Sequence, residues 1–461
     1  MAYDAIVIGA GMSGLAAGIR LAMFDKKVLI VEKHSIAGGL NSFYQRRIPE
    51  LKQLYKFDVG LHALTNFAKK GERGRPFTKL LKQLRIPYDA FDLCEQTRSK
   101  IQFKSASLLF SNEIELLISE IERVFPEERT SFHQFHQFCL EYNETDLQSS
   151  YISARSVLDK YFKEELLKEM LIAPLLIYGS AWEHDMDFSQ FVIMYKALYL
   201  EGFSRPKGGV RTIIDLLLKR YTELGGELRF RTEVEKIETD GQVKGVLTNK
   251  GEFLATKKLF SSMGLPETFS KIGNDRTQPV GKLSFTESIL ISRDKSHLNN
   301  LEETIIFYNE SDKYLYRKPN NDFDSSSAVF CLPDNYERDN REGVGTIRVT
   351  YMANYKNWVD KNKENYLFAK KQVAHSSQQL SEKLFGKKLD LVFQDVFTPR
   401  TIKKYTNHFD GTVYGSTKKI KNGLTQIPGL YVIGTDQGFL GIVGSMLSGI
   451  SMANLHGLMN E

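Results

Sequence analysis

The stretch DAIVIGAGMSG, residues 4–14, decides the fold of this 461-residue chain. An apolar strand ends at Ile8, three glycines follow at Gly9, Gly11 and Gly14, and an Ala- and Leu-rich helix comes next. The first glycine permits a tight turn, the second lets backbone approach a pyrophosphate, and the third allows close packing of helix on strand. The N–H groups and the partial positive charge of the helix N-terminus favour phosphate. The stretch therefore predicts a dinucleotide-binding unit.

A second strand over 28–31 supports this prediction, because it ends at Glu32, about 20 residues after the glycines. An acid at this position accepts hydrogen bonds from ribose hydroxyls. Two alternatives are a glycine-rich turn in an ordinary βαβ unit and a secretory signal peptide over 3–24. Asp4 stands where a signal peptide has its positive region, and Arg20 lies in the helix, so a signal peptide does not fit.

The other end of the chain carries a second glycine-rich segment. An apolar strand over 430–433 runs into Gly434-Thr435-Asp436, and Gly441-Ile442-Val443-Gly444 follows. A ligand that needs both ends of the chain must be long, and FAD meets that requirement better than other common cofactors. Asp436 would accept hydrogen bonds from the ribityl hydroxyls or orient backbone near the pyrophosphate. The N–H groups around Val443, at the start of a final helix, would stabilise negative charge on reduced flavin.

Composition is that of a soluble globular protein of two or three domains, with 42% hydrophobic and 26% charged residues. The net charge of +6 tolerates acidic ligands or anionic lipid, and no nucleic-acid-binding motif is present in the sequence. Cys94, Cys139 and Cys331 lack CxxC spacing, which argues against disulfides or zinc and suits a reducing cytoplasm. His133 and His136 have no third ligand nearby in sequence, so we expect no metal site.

A basic stretch over 69–85 interleaves Lys and Arg with Phe and Leu. It fits either an amphipathic surface that rests on a membrane or, as we favour, an ordinary helix with one solvated face. The apolar run over 430–455 contains Asp436 and five glycines, which suits a ligand loop better than a membrane span. We therefore expect a cytoplasmic protein, with peripheral membrane contact and the oligomeric state left open.

The order of elements predicts two interleaved domains. The FAD-binding domain is expected from 1–66, 201–270 and 396–461. The substrate domain, a helical segment plus a β-rich lobe, is expected from 67–200 and 271–395, and strands are predicted in the lobe over 284–292, 304–308, 328–332 and 345–353. A chain that crosses several times between two lobes is typical of flavoproteins and argues against a simple N-terminal nicotinamide domain.

The helical segment has three features of its own. Helices are predicted over 111–124, with Ser111 as N-cap, and over 156–172. Between them lies an aromatic stripe of Phe132, Phe135 and Phe138, which predicts core packing or the lining of an apolar tunnel.

Over nearly its whole length the chain resembles the phytoene desaturase, carotenoid isomerase and retinol saturase superfamily of FAD-dependent oxidoreductases. The motifs that carry the resemblance follow one another in order: Gly9-x-Gly11-x-x-Gly14, Glu32-Lys33, Gly38-Gly39, Phe57-Asp58-Val59-Gly60-Leu61-His62, Pro206-Lys207-Gly208-Gly209, Thr398-Pro399-Arg400-Thr401 with Tyr405, Gly411-Thr412-Val413-Tyr414-Gly415, and 429–444.

Two details resemble the retinol saturase branch most closely. The FDxGxH pattern of 57–62 is one, and the Gly-x-Asp of 434–436 followed by the Gly-x-Val-Gly of 441–444 is the other. Two departures concern an insertion-like stretch over 48–56 and Ala63-Leu64, where the saturases tend to have Tyr-Ile. The pocket beside the flavin is therefore expected to differ, and retinol itself is not implied.

The resemblance implies an α/β fold with a Rossmann-like FAD-binding domain of the glutathione reductase/amine oxidase type, interleaved with an α+β substrate domain. It also implies non-covalent FAD, with NAD(P)H as one candidate electron donor. A strand near Val234 would meet the adenine end of the cofactor. The implied cofactor-binding residues are Gly9, Ala10, Gly11, Met12, Ser13, Gly14, Glu32, Lys33, Gly38, Gly39, Leu40, Gly60, Val234, Gly434, Asp436 and Val443.

In such a site the flavin transfers hydride or electrons, and the protein holds an apolar chain beside it in a dry pocket. His62 is the first candidate for moving a proton, because histidine titrates near neutral pH. The alternative for His62 is a packed residue bonded to backbone. Tyr414 is a weaker candidate that would line the pocket.

The sequence leaves three functions of different classes open. The first is an FAD-dependent enzyme that saturates, desaturates or isomerises carbon–carbon bonds of an isoprenoid or polyene lipid. The second is an amine or amino-acid oxidase on the same scaffold. The third is a binding or accessory protein that keeps the fold without turnover. We favour the first.

Overall fold

The computed structural model describes residues 2–60, 63–273, 278–296, 301–336 and 343–459. Its strands are β1 Ala5–Ile8, β2 Val28–Val31, β3 Phe43–Ile48, β4 Gln53–Asp58, β5 Leu64–Thr65, β6 Leu93–Glu95, β7 Arg98–Gln102, β8 Ser107–Phe110, β9 Phe203–Pro206, β10 Glu227–Arg229, β11 Val234–Thr239, β12 Val243–Thr248, β13 Phe253–Ala255, β14 Leu259–Ser261, β15 Ser284–Ser292, β16 Glu303–Asn309, β17 Ser327–Cys331, β18 Gly345–Ala353, β19 Leu391–Phe397 and β20 Leu430–Val432. Its α-helices are α1 Met12–Ala22, α2 Pro76–Leu84, α3 Ile114–Val124, α4 Arg129–Glu141, α5 Ala154–Tyr161, α6 Glu165–Gly179, α7 Phe188–Tyr195, α8 Arg211–Glu223, α9 Leu265–Ser270, α10 Tyr355–Val359, α11 Lys363–Phe385, α12 Pro399–Thr406 and α13 Gly441–Met452.

A five-stranded parallel sheet of order β10-β2-β1-β14-β20 draws on both ends of the chain and on its middle. Its strands are short apolar runs, and all four residues of β1 and of β2 are buried, as expected of a parallel sheet covered on both faces. Helices α1 and α13 pack on each other beside this sheet. The carboxyl ends of β1, β2, β14 and β20 therefore lie at one edge, where ligands of such sheets bind.

A small antiparallel sheet, β11-β12-β13, covers one side of the parallel sheet. Val234 of β11 pairs with Thr248 of β12, and Gly241 takes a positive φ of 69° in the connecting turn. Apolar residues from both sheets, among them Ile8, Val31 and Val234, form one buried cluster. This packing brings Val234 to the ligand-binding edge of the parallel sheet.

The second lobe is a seven-stranded sheet of order β19-β15-β18-β17-β16-β7-β8. Helix α11 covers one face, where Leu290, Val349 and Trp358 lie in its core. The other face packs against the helices between 114 and 200 and contributes Phe285, Val329 and Met352 to the largest buried cluster. The predicted fold class, a Rossmann-like α/β unit interleaved with an α+β lobe, is confirmed.

Two predicted helix boundaries are wrong. The helix predicted from Ser111 begins at Ile114 with Glu113 as N-cap, and the Ser111 hydroxyl accepts a bond from the Glu113 N–H before the helix starts. The helix predicted over 156–172 is two helices, α5 and α6. The carboxylate of buried Glu128 accepts the N–H groups of Lys163 and Glu164, each at 2.7 Å, and so satisfies backbone where the helix breaks.

Three other sequence features have structural explanations. The insertion-like stretch over 48–56 forms the far end of the β3–β4 hairpin, and Ile48 packs against Ile289 of the seven-stranded sheet. The apolar residues of basic helix α2 are buried in the core, which fits the favoured interpretation of an ordinary surface helix. Phe132 and Phe135 of the aromatic stripe are buried, in contact with other core rings.

Candidate active site

One cavity lies at the carboxyl edge of the parallel sheet, and both glycine-rich segments line it. A Cβ added at Gly434 would lie 2.8 Å from the Ser13 hydroxyl, so the C-terminal loop and the N-terminal turn are in direct contact. The predicted residues that line this cavity are Gly9, Gly11, Met12, Ser13, Glu32, Lys33, Gly38, Gly39, Leu40, Val234, Gly434 and Tyr414. The structure thus brings together segments more than four hundred positions apart.

The glycine turn has the geometry that a bound phosphate requires. Gly9 takes a positive φ of 96°, and a Cβ on Gly14 would lie 1.9 Å from the Gly9 carbonyl oxygen. A Cβ on Gly11 would meet nothing within 4 Å, because this glycine borders the open cavity. Helix α1 begins after Gly11 without a side-chain cap, which leaves its first N–H groups available to an anion.

Glu32 closes the turn at the end of β2. Its Oε2 accepts the N–H of Ala10, and its Oε1 accepts the N–H of His34, both at 2.9 Å. The side chain is buried, yet it borders the cavity. Carboxylate oxygens have several acceptor positions, so Glu32 can hold the turn and still accept from a ligand hydroxyl. Ala10 itself does not line the cavity and serves as the donor to Glu32.

Asp436 and Val443 lie behind the cavity wall. The Asp436 carboxylate accepts the N–H groups of Leu265 at 2.6 Å and Ser416 at 2.8 Å, and it forms an ion pair with Lys419. It is fully buried, and these contacts are with backbone N–H groups and with Lys419. Its two predicted roles, toward the ribityl hydroxyls or toward backbone near the pyrophosphate, stay predictions. Val443 is buried within α13, and its neighbours Gly441 and Ile442 border the cavity instead.

Several residues that line the cavity were not among the predicted site residues. Tyr405, Thr406, Asn407 and His408, at the end of α12, border the cavity together with Tyr178 from α6. Asn407 takes a positive φ of 66° and ends α12. The signal for this turn in the sequence is the asparagine itself, a residue that often ends helices in this conformation.

Among the described residues, His408 is the histidine that lines this cavity. Its Nδ1 lies 2.9 Å from the carbonyl oxygen of Thr412, a geometry in which Nδ1 donates and Nε2 is left as acceptor in the neutral ring. Glu267 lies beside it, since a Cβ on Gly264 would contact both Glu267 Oε2 and His408 Cδ2. Burial raises the pKa of Glu267. His62, the residue predicted to move a proton, lies outside the described residues.

A second, mostly apolar cavity adjoins the first. Leu40, Tyr178, Val413 and Tyr414 border both cavities, and the second is completed chiefly by residues of the seven-stranded sheet. Gly60, predicted as a cofactor-binding residue, lines this second cavity. The shared wall means that a molecule in the apolar cavity would lie next to one in the cofactor cavity.

Tyr414 stands between the two cavities. Its hydroxyl donates a hydrogen bond to the carbonyl oxygen of Ile177 in α6, and burial raises the pKa of the phenol. Its ring packs edge-on against Phe285, with centroids 5.9 Å apart. These contacts fit a wall residue better than a group that releases a proton.

No cluster of three or more metal-ligating side chains occurs within the part of the chain that the structure describes. His133 pairs with Glu122, and His136 Nδ1 lies 2.9 Å from the Tyr195 hydroxyl. In the same described ranges we find no helix with the length and apolar character of a membrane span.

Several known proteins are similar to this chain in sequence. The family model of the NAD(P)-binding Rossmann-like domain matches residues 7–84. Prolycopene isomerase 2 of Oncidium hybrid cultivar is 24% identical, over 98% of this chain and 83% of that protein. All-trans-retinol 13,14-reductase of Danio rerio is 22% identical, over 98% of this chain and 85% of that protein. A phytoene desaturase of Pantoea ananas is 23% identical over 57% of this chain and 56% of that protein.

Over nearly its whole length the chain is therefore similar to members of the phytoene desaturase, carotenoid isomerase and retinol saturase superfamily. The predicted resemblance to this superfamily and the predicted enzyme class are confirmed. Among solved structures, an oxidoreductase from Methanosarcina mazei superposes with a TM-score of 0.66 at 16% identity, covering 98% of this chain and 99% of that one. A putrescine oxidase variant gives 0.62 at 12% identity, with 98% of both chains covered. These likenesses show the fold, and the whole set supports a flavin or dinucleotide cofactor.

Proposed function

We propose that the chain is an FAD-dependent oxidoreductase that saturates, desaturates or isomerises carbon–carbon bonds of an isoprenoid or polyene lipid. The observation that carries the proposal is the shared wall between a polar dinucleotide cavity and an apolar cavity. The similarity to prolycopene isomerase and to retinol 13,14-reductase supports a polyene substrate.

The residues present fit FAD. Gly11 offers open backbone at the start of α1 for the pyrophosphate, and Glu32 would accept from a ribose hydroxyl. The buried Oδ1 of Asn41 has no hydrogen-bond partner among the described residues, although this residue lines the cavity, and a bound cofactor would supply one. When bound, the isoalloxazine ring would supply hydride or electron transfer.

The chain's own residues would bind and orient the reacting groups and exclude water from them. Phe285, Phe397 and Ile402 line the apolar cavity and would exclude water from a polyene beside the shared wall. We propose His62 as the residue that moves a proton. We likewise propose the predicted domain ranges, a peripheral contact with a membrane and NAD(P)H as the electron donor.

Two measurements test the proposal. The protein is purified, its chromophore is extracted, and the chromophore and co-purifying lipids are identified by mass spectrometry. The protein is then incubated without oxygen with a carotenoid or retinoid and a chemical reductant, and the products are separated by chromatography. We expect FAD and a change in double-bond number or geometry.

The alternative function makes a different set of products. An amine or amino-acid oxidase would consume oxygen and release peroxide with putrescine or an amino acid as substrate. Peroxide formation with an amine, without any change in polyenes, would overturn the proposal in favour of that function. A colourless protein would overturn both.

A further inference from the structure

Three segments that line the apolar cavity lead from it to the same part of the protein surface. Ile177 and Tyr178 line the cavity near the end of α6. Phe285 and Glu287 line it from β15, and Val413 lines it from the loop after α12. Each segment continues beyond the cavity to residues that are exposed, so the place where they emerge can be defined.

Two of the segments run side by side away from the cavity. The Val413 N–H donates to the Leu283 carbonyl oxygen at 3.1 Å. Further along, the Ser416 hydroxyl donates to the Pro279 carbonyl oxygen at 2.6 Å. Lys418, five residues after Val413, is exposed, and five residues of extended chain span at most about 17 Å. The apolar cavity therefore lies a short way beneath this part of the surface.

The third segment joins the first two after α6 ends at Gly179. The Tyr316 hydroxyl donates to the Ser180 carbonyl oxygen at 2.8 Å, which attaches the loop around Tyr316 to this segment. The Trp182 ring lies 5.3 Å from the Tyr151 ring, centroid to centroid. We call the region where these segments meet the cavity-end surface, and it consists of residues 149–155, 180–187, 278–282, 312–318 and 417–426.

Large apolar and aromatic side chains project from the cavity-end surface. Five of them are between 37% and 49% exposed: Tyr151, Ile152, Val280, Leu315 and Leu424. The segment 313–317 alternates, because Tyr314 and Tyr316 are buried while Lys313, Leu315 and Arg317 are exposed. Exposed apolar side chains grouped on one surface indicate a site of contact with a protein or a membrane.

The same surface is basic. Its five segments contain eight Lys or Arg and four Asp or Glu. Lys282 pairs with Glu183 at 2.8 Å, and Lys419 is matched by buried Asp436. Three other cations are exposed and have no carboxylate partner within the described ranges, namely Lys313, Arg317 and Lys418. The surface therefore combines apolar side chains with positive charge that the protein does not neutralise.

We propose that the cavity-end surface docks the protein on a bilayer that contains anionic lipid. Its apolar side chains would enter the membrane interface, and its cations would attract the anionic headgroups. A second copy of this chain is a poorer partner, because a symmetric dimer through this surface would bring like charges together. The inference rests on the proposed function, because a lipid substrate would then leave the bilayer beside the segments that line the apolar cavity.

Flotation of the purified protein with vesicles gives the first test. One set of vesicles is phosphatidylcholine alone, and the other is phosphatidylcholine mixed with phosphatidylserine. We expect binding to the mixed vesicles to be at least about tenfold tighter, since each Lys or Arg near an anionic membrane contributes about fivefold. High salt should weaken it, because salt screens exposed charges. No binding to the mixed vesicles, or equal binding to both sets, would overturn the inference.

A triple variant tests the apolar side chains that would enter the interface. It combines Ile152→Gln, Leu315→Gln and Leu424→Gln. We expect its binding to the mixed vesicles to be about tenfold weaker than that of the parent. The matched control replaces three side chains elsewhere that are between 47% and 62% exposed, by Phe253→Gln, Leu367→Gln and Phe368→Gln. The control should bind like the parent, and an equal or larger loss in the control would overturn the inference.

A second triple variant tests the cations. It combines Lys313→Gln, Arg317→Gln and Lys418→Gln, and its binding should fall about a hundredfold. The matched control removes the same charges from the exposed face of α2 by Lys79→Gln, Lys82→Gln and Arg85→Gln. This control should stay within a few-fold of the parent. A larger loss in the control would assign the membrane contact to α2 and overturn the inference.

Two further measurements separate the inference from its alternatives. Size-exclusion chromatography reports the oligomeric state, and a parent dimer that both surface variants convert to a monomer would assign the surface to a second copy and overturn the inference. Turnover of a polyene in detergent tests the proposed function without a membrane. Turnover in detergent without vesicle binding would overturn the inference alone. Vesicle binding as expected, without flavin or turnover, would support the docking surface and overturn the proposed function.

Discussion

Lys419 Nζ lies 3.1 Å from Asp436 Oδ1, and both side chains are buried. Lys419 also donates to the Tyr414 carbonyl oxygen at 2.7 Å, while Asp436 accepts the N–H groups of Leu265 and Ser416. This ion pair therefore joins the C-terminal loop, the segment 414–419 and the start of α9 beneath the cofactor cavity. We infer that it shapes the cavity without touching its contents.

Removing one partner of this pair should destabilise the protein. Lys419→Met leaves Asp436 charged and buried, and we expect a loss of about 3–5 kcal/mol in the free energy of unfolding. Urea unfolding followed by circular dichroism measures it, and the flavin content of the purified variant should fall as well. Lys388→Met is the matched control, because Lys388 pairs with Glu382 but is 92% exposed. Equal losses in the free energy of unfolding for the two variants would contradict a stabilising role of the buried Lys419–Asp436 pair.

Substitutions at two glycines of the first turn should distinguish an effect on cofactor binding from an effect on folding stability. A Cβ placed on Gly11 meets no atom of the described residues within 4 Å, so Gly11→Val should fold but fill the space that the pyrophosphate needs. We expect a colourless protein whose melting temperature equals that of the flavin-depleted parent. Gly14→Ala places its Cβ 1.9 Å from the Gly9 carbonyl oxygen and should lose at least about 1–3 kcal/mol of stability. A yellow Gly11→Val protein would contradict the proposed phosphate site.

Several elements around the first cavity follow local patterns in the sequence. The turn at Gly9, the strand β2 and the strands β15 and β18 were predicted at or near their observed bounds, because each depends on neighbouring residues. The residues that were missed depend on tertiary contacts. Glu128 satisfies the backbone N–H groups of Lys163 and Glu164 where the predicted helix is interrupted, and His408 reaches the cavity through the turn that follows α12.

The position of Glu287 shows the same limit. The strand was predicted with its observed bounds, but a single acid in it gave no sign of facing an apolar cavity. That assignment needed the register with Thr350 and the diagonal contact with Arg348 on another strand. Pairing between strands far apart in sequence is set by the whole sheet, and no local pattern encodes it.

Stability should depend on pH through Glu201. Burial raises the pKa of this carboxyl to about 7, although an Asn66 side-chain hydrogen bond opposes the shift. Because the folded-state pKa exceeds the unfolded value of 4.5, the contribution to stability is complete below about pH 4.5 and is lost as pH rises through about 7. The loss should reach about 3 kcal/mol.

Thermal unfolding of Glu201→Gln and the parent at several pH values between 5 and 8 tests this dependence. The variant should lose less stability than the parent as pH rises, since its amide does not titrate. Glu113→Gln makes the same charge change at an exposed position and should follow the parent. Parallel curves for Glu201→Gln and the parent would contradict the raised pKa.

Proton transfer at the flavin end should depend on His62 and not on Tyr414. His62→Ala should keep its colour but lower turnover by about a hundredfold or more, the usual contribution of a positioned acid or base. Tyr414→Phe should stay within a few-fold of the parent, because the phenol is bonded to the Ile177 carbonyl and burial raises its pKa, which opposes proton release. Both variants are compared by turnover per bound flavin, so that cofactor loss does not count as catalytic loss. Unchanged turnover in His62→Ala would remove its proton role, and His408, whose Nδ1 is held by the Thr412 carbonyl, would be the next residue to substitute.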